Sequence, residues 1–487
     1  MGDMQNQPTR EGRRLLGTAF FVSVIAVLIL ANVIVNALAS SLGWYFYTEP
    51  RYEHTIGDAS HAVLDGAEES VRVIFCTDEE SLESEVSFSL VLHTFRQLEE
   101  RYDFISVEFV NIYLHPADVA PYRTRTLANG EVVEYSINEQ CIILVSGEDE
   151  SDFRVETMES FFVLDESRTI TAYNGEEFAI ACLAWVLRDT HPVAGFTMGH
   201  GENQADLLAF YTTLVAAGYD VTMMTLDEDI DEGVGLVVVA NPRWDLERGA
   251  GVVSELDRLA AFLDRGGTLF VSLDPYAKAS LSGIRGFLAE RGLTATQDVI
   301  RDSQNSITTD GFTLVTDYAV NEYATSVSDR IGAFGGSRAL VREASAIACD
   351  TVGDYTAYPL LTASSSAVCY RNGVVVDSAG GYPVLAVSEA EVAGGTATVI
   401  LSSSVYFLAN DAMNSATYTN RDVVLASLEA ATGMSAPVGC TVLPIESTRL
   451  EDLTMGTARL YTILVAVVIP LAVASFGVVV TVRRKNR

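Results

Sequence analysis

The chain has 487 residues, with 31 lysines and arginines against 65 aspartates and glutamates, a formal net charge of −34. Because 49% of its residues are apolar and only 20% charged, it can bury a sizeable core, which excludes global disorder. A surface so anionic repels phosphate backbones and excludes nucleic acid as a partner. The six cysteines form no C-x-x-C pair, and the six histidines form no metal-spaced pair, so neither a redox dithiol nor a zinc site is expected.

The ends of the chain stand apart from its body. Arg10, Arg13 and Arg14 precede an uncharged run at 15–42, and Arg483, Arg484, Lys485 and Arg487 follow a second at 460–482. Each run is long enough to span a hydrocarbon core of roughly 30 Å as a helix, so two transmembrane helices are expected in a lipid bilayer. The positive-inside rule then puts residues 1–14 and the basic tail 483–487 in the cytoplasm, with the main body outside the plasma membrane. Ala37-Leu38-Ala39 also fits a signal-peptide cleavage pattern, but the run is long for a signal core and the anchor is preferred.

The first outer segment, 51–190, reads as strand Val71–Phe75, helix Val91–Tyr102 and strand Ile105–Ile112. A hairpin pairs Glu139–Val145 with Phe153–Val155, and a helix covers Glu176–Leu187. This order predicts a thioredoxin-like domain. The position of a redox pair holds Cys76-Thr77-Asp78-Glu79, with one cysteine, which disfavours redox catalysis.

The second segment, 191–438, alternates strands and helices: Val193–Met198, helix Leu207–Ala217, Val221–Leu226, Leu236–Ala240, helix Val252–Leu263 and Thr268–Leu273. After a less regular stretch near 300–350 come strands Tyr358–Thr362, Val384–Ser388 and Thr396–Leu401, then helix Asn420–Thr432. Near-continuous apolar strands predict a larger α/β domain on a parallel sheet covered on both faces, of flavodoxin or amidotransferase type. The fold class expected is thus α/β throughout, two such domains flanked by two transmembrane helices.

An ordered set of short motifs runs through the chain. It comprises Asn174-Gly175-Glu176-Glu177-Phe178, Gly199-His200-Gly201-Glu202, Gly218-Tyr219-Asp220-Val221, Ala240-Asn241-Pro242, Gly266-Gly267, Asp274-Pro275 and Tyr418-Thr419-Asn420-Arg421-Asp422, with Ile469-Pro470-Leu471 near the end. In this order they resemble the auxiliary component of Gld-type (gliding-motility-associated) ABC transport systems. The resemblance implies a non-catalytic subunit acting beside an ABC permease and its cytoplasmic ATPase. It departs from the family at Ser402-Ser403-Ser404, where a Gly-Asp-Ser turn is common. Consistent with an auxiliary role, the chain has no G-x-x-x-x-G-K-[ST] phosphate loop.

In an open α/β sheet, ligands bind beyond the C-terminal ends of the strands. That rule gathers Gly199, His200, Gly201, Glu202, Asn241, Asp274, Ser403, Ser404 and Asn420 as a candidate ligand-binding cleft. Gly201 would let backbone approach a ligand, and a helix expected just after it would favour Glu202 through its dipole. No cysteine stands at Leu273-Asp274, where an amidotransferase carries its nucleophile, and no G-x-S-x-G elbow occurs. Neither catalytic residue nor cofactor is therefore expected. A hydrolase or a polymer-binding module working through the same cleft is the alternative.

Overall fold

The computed structural model describes residues 55–147, 152–164, 167–202, 206–247, 254–277, 280–332, 338–415, 417–440 and 442–445, with Ser475, Gly477, Val482 and Arg483. Described residues from Thr55 onward belong to one compact unit.

Helix α1 (Asp58–Leu64) precedes strand β1 (Val71–Phe75), helix α2 (Val86–Arg101) and strand β2 (Ile105–Phe109). Strands β3 (Cys141–Ser146) and β4 (Asp152–Thr157) complete a four-stranded sheet in the order β2-β1-β3-β4. Its first pair is parallel and the other two antiparallel. Phe75, Phe95, Leu98 and Phe161 fill the core between this sheet and its helices. Helix α3 (Gly175–Val186) is buried along its whole length. Phe178, Leu183 and Trp185 face the first core, while Ala181 packs into the core of the second sheet.

The second sheet begins with β5 (Val193–Thr197), then helix α4 (Leu208–Ala216), β6 (Asp220–Met224), β7 (Val234–Ala240), helix α5 (Glu255–Asp264) and β8 (Thr268–Ser272). Helix α6 (Ser282–Ala289) leads to β9 (Leu293–Arg301), β10 (Asp317–Tyr318), helix α7 (Glu322–Ile331), β11 (Ser345–Cys349), β12 (Tyr355–Thr362), β13 (Val368–Arg371) and β14 (Val374–Asp377). The hairpin β15 (Pro383–Val392) and β16 (Gly395–Ser402) follows, then helix α8 (Asn420–Thr432). Neighbouring strands run β6-β5-β7-β8-β16-β15-β12-β10. The first five are mutually parallel. Successive residues of β7 serve opposite faces: Leu236 and Val238 belong to one core, Val237 and Val239 to the other. Burial on both faces explains the unbroken apolar run at 236–240.

Two expectations are corrected here. The larger sheet is mixed rather than parallel, because β16 turns straight back from β15 and pairs with it antiparallel, and β12 and β10 continue that antiparallel pairing. The chain between β8 and β15 also builds a separate antiparallel sheet, β11-β9-β13-β14. The second correction concerns the membrane. Among the described residues no helix is long and apolar enough to cross one. The 16 residues of α2 rise only about 24 Å, short of the roughly 30 Å required, and α3 spends its apolar surface inside the fold. The runs expected to span, 15–42 and 460–482, lie outside the described residues except at Ser475, Gly477 and Val482. The membrane-anchored architecture, and the plasma-membrane location read from it, are therefore not retained.

Two buried ion pairs join the layers. Glu177, in the first turn of α3, accepts from Arg421 Nε of α8 at 2.6 Å, with both side chains at or below 10% exposure. Asn174, its amide turned to suit both, reaches Glu177 and Arg421 at 3.2 Å each. Arg125 clamps both carboxylate oxygens of Asp220 on β6, at 2.8 and 2.5 Å, and its guanidinium lies 4.5 Å from the Trp185 ring centroid of α3. Removing one partner of such a pair strands a buried charge, at a cost of about 3–5 kcal/mol. Arg421→Met should accordingly lower the urea midpoint sharply, and adding Glu177→Leu should recover part of the loss. If the single variant unfolds at the wild-type midpoint, the pair does not hold the layers together.

Candidate functional site

Strand β5 lies between β6 and β7, so the chain leaves β5 to one side, returns, and continues on the other. The crevice opened by this reversal lies beyond the C-terminal ends of β5 and β7. The loop after β5 is Met198-Gly199-His200-Gly201-Glu202, and the loop after β7 starts at Asn241. The two loops are stitched together: the His200 carbonyl accepts from the amides of Arg243 at 2.7 Å and Trp244 at 2.9 Å. Gly201 has φ +73°, and a Cβ there would lie 3.0 Å from the Trp244 ring. This glycine is needed for both the turn and the close approach. Further along the sheet edge, the Asn241 amide donates to Ser272 O at 2.9 Å and the Leu273 amide to Ser402 O at 3.0 Å, carrying the tips of β7, β8 and β16 past the regular ladder.

His200 is fixed between two carboxylates. Nε2 lies 2.9 Å from Glu255 Oε1 and Nδ1 3.3 Å from Glu202 Oε1. Glu202 also accepts from the His200 amide at 2.8 Å and from the Thr197 hydroxyl at 3.0 Å. Glu255 is presented by the start of α5, where Ser254 and Asp257 form a reciprocal capping box. The hydrogen bond to Glu202 raises the His200 pKa; burial opposes this, and the charges of Glu255 and Glu202 add to the rise. Burial works against ionised Glu202, but hydrogen bonds from the His200 ring, backbone amides and Thr197 outweigh it and hold the carboxyl below its ordinary value. With both ring nitrogens engaged and its side chain 8% exposed, His200 braces the loop rather than facing a reactant. The helix expected at Leu207–Ala217 spans Leu208–Ala216, and its Ala209 amide is capped by Asn410 Oδ1 at 2.8 Å.

The remaining residues gathered from sequence separate into two groups. Asn241 and Asp274 line a large cleft. Asn241 holds φ +53°, and Asp274 Oδ1 accepts from the Tyr276 amide at 2.8 Å. Ser403, Ser404 and Asn420 are fully buried. The Ser403 hydroxyl donates to Val384 O at 3.1 Å, the Ser404 hydroxyl bonds Arg342 O, and the Asn420 amide satisfies Leu340 N, Leu340 O and Phe407 O within 2.9 Å. They tie β16 and α8 to neighbouring backbone. Cys76, at the end of β1, is buried, and burial pushes its thiol up to about 12.

The cleft has a volume of about 1560 Å³ and runs from the strand tips to the edge of the first sheet. Sequence reasoning did not find Arg243, Arg342, Tyr406 and Asn410 at its mouth, nor Arg154, Tyr135 and Tyr211 along its inner wall. Arg342 stacks 3.8 Å from the centroid of the Tyr406 ring. Trp244 and Tyr276, in the same tip loops, are 63% and 53% exposed. The only local signal for the mouth was polar and aromatic residues immediately after apolar strands, as in Pro242-Arg243-Trp244. The inner wall has no local signal, since it joins residues far apart in sequence.

No family model matches the chain, and no curated protein matches it. Among solved structures, the mmIFT52 N-terminal domain is 17% identical, covering 49% of this chain and 97% of its own, at a TM-score of 0.38. A ThuA-like protein from Bacteroides uniformis is 10% identical over 51% of this chain and 96% of its own, at 0.32. PurLQS from Thermotoga maritima is 12% identical over 50% and 99%, at 0.27. Similarity at this level assigns neither a family nor an activity.

The His200 brace predicts a pH profile. A histidine whose pKa rises on folding stabilises below its ordinary 6.5, and that stability fades as pH climbs through the folded value. Glu202, lowered on folding, stabilises above its ordinary 4.5 and loses the effect as pH falls through its folded value. The brace is therefore strongest between those two ordinary values. His200→Gln should lose more stability near pH 5.5 than near pH 8.5 in urea titrations. An equal loss at both would remove the charged brace from the account. Gly201→Ala should cost about 1–3 kcal/mol for its backbone conformation alone.

Proposed function

We propose that the chain is a non-catalytic binding component, auxiliary to an ABC transport system, that holds a ligand in the strand-end cleft and signals its occupancy to a permease and its ATPase. The observation that carries the binding reading is the cleft: about 1560 Å³, open at the tips of β7, β8 and β16, with Arg243, Arg342 and Tyr406 at its mouth. That exceeds the roughly 300–1,000 Å³ typical of a single small ligand and suits an oligomer or an extended segment. Exposed aromatic and guanidinium groups at a rim give stacking and hydrogen bonding at little ordering cost.

The non-catalytic reading is supported by how the polar groups are used. His200 is engaged on both ring nitrogens, Asp274 accepts from its own loop, and the serines after β16 bond backbone carbonyls. A nucleophile needs a base within hydrogen-bond reach, itself oriented by a third group; His200 has the orienting carboxylates but no nucleophile among its hydrogen-bond partners. The transport context rests on the ordered sequence motifs from Asn174 to Asp422.

Co-purification of the full chain under mild conditions should recover a permease and an ATPase. Exchanging in Arg243→Ala/Tyr406→Ala, both exposed or nearly so, should leave the unfolding free energy from urea titration within about 0.5 kcal/mol of wild type. The same exchange should at least halve the dependence of ATPase rate on the chain. Isolation of the chain alone in repeated preparations, or an unchanged ATPase rate with the double variant, would overturn the proposal.

A further inference from the structure

Arg154 occupies the middle of β4, the edge strand of the first sheet, opposite Leu144 of β3. It is 6% exposed and lines the cleft from its inner side. Its Nε donates to Glu156 Oε1 at 2.7 Å, while Nη1 is buried without a hydrogen-bond partner. The guanidinium lies 5.6 Å from the Trp185 ring centroid and 6.0 Å from that of Phe178, so α3 holds it against aromatic surface. A buried guanidinium N–H demands an acceptor, because leaving it unmade forfeits its hydration without return. Both oxygens of neighbouring Asp220 are already taken by Arg125. Arg125 Nε also donates to the Tyr135 hydroxyl at 3.2 Å, which leaves that hydroxyl its own hydrogen to give. Tyr135 lines the same wall.

We infer that Arg154 is the inner anchor of a ligand subsite, where Nη1 and the Tyr135 hydroxyl together take a carboxylate or phosphate oxygen of the molecule that fills the cleft. The inference rests on reading the cleft as a binding site and adds the chemical class of the group bound. An oxygen anion matches an arginine that lines the cleft and keeps an unmet N–H in a low-dielectric wall. The charged groups facing Arg154 include Glu156 and Asp220, each already paired with an arginine, so an incoming anion meets a neutralised wall with donors to spare. The other acidic side chains of the cleft are Asp274, Glu343 and Asp411 in the tip loops, Asp206 just before α4, and Glu159, which Arg168 pairs at 2.8 Å.

The test uses the full chain with sodium succinate, sodium phosphate and sodium chloride at matched ionic strength, reading thermal midpoint and calorimetric affinity. Succinate or phosphate should raise the midpoint saturably above chloride, since a bound ligand stabilises by mass action. The probe that does so identifies the source of the anion. Arg154→Gln should weaken that affinity about tenfold or more, and Tyr135→Phe severalfold. Should Arg154→Gln fail to fold, Tyr135→Phe decides. No effect of either anion beyond chloride overturns the subsite, and so does undiminished affinity in both variants. If affinity survives those variants but falls with Arg243→Ala/Tyr406→Ala, the subsite is wrong while the cleft remains a binding site. Affinity untouched by every variant overturns both.

Discussion

The arrangement of this molecule depends on one buried ion pair, Glu177 with Arg421, set into a helix that belongs to two cores at once. Helix α3 has no solvent face. Its apolar residues can be shared between the sheets, but the carboxylates in its first turn cannot be left bare, because an unpaired buried charge costs several kcal/mol. Glu176 is answered by the Ser60 hydroxyl at 2.6 Å and the Gly57 amide at 2.8 Å, and Glu177 by Arg421. These bonds fix α3 against both α1 and α8. Arg125 with Asp220 makes a second tie beside Trp185. The space left between the edge of the first sheet and the tips of the second is the cleft, so the polar groups that join the layers also shape its inner wall.

At the tips, the same economy of polar groups separates bracing from recognition. His200, Glu202, Glu255 and Thr197 satisfy one another and hold the loop after β5 against Arg243 and Trp244. Side chains that keep capacity for a ligand are those that sequence patterns do not distinguish: Arg243 and Tyr406 at the mouth, Arg154 and Tyr135 within. A conspicuous histidine and glutamate in a glycine turn thus serve the scaffold, and the adjoining loop carries the surface available for binding.

The sequence disclosed the individual elements better than their assembly. The apolar run at 236–240 and the helix Asn420–Thr432 are where periodicity put them, because burial on two faces or one writes itself into local pattern. The start of α5 lies at Glu255 rather than Val252, where Ser254 caps it, a signal present in Ser254-Glu255-Leu256-Asp257 but outweighed by the apolar residues before it. Sheet sense was not legible: β15 and β16 look like any other apolar strands, and only the tight turn at Gly394 and Gly395 hinted at a hairpin. Asn241 and Asp274 were found because strand ends can be located from hydrophobic runs. Ser403, Ser404 and Asn420 were gathered by the same rule, which cannot tell a hydroxyl facing the cleft from one spent on a neighbouring carbonyl. The inner wall joins Tyr135, Arg154 and Tyr211 across the layers, and no local window contains that juxtaposition.

The central claim is that the cleft between the layers is where this chain recognises its ligand. Hydrogen exchange on the full chain, with and without the small-molecule fraction of the cells that make it, tests this most directly. Slowed exchange concentrated at residues 153–157, 241–244, 273–277 and 405–411 is the predicted result, since these segments form the inner wall and mouth. Unchanged exchange there, with protection appearing only on surfaces remote from the cleft, would contradict it.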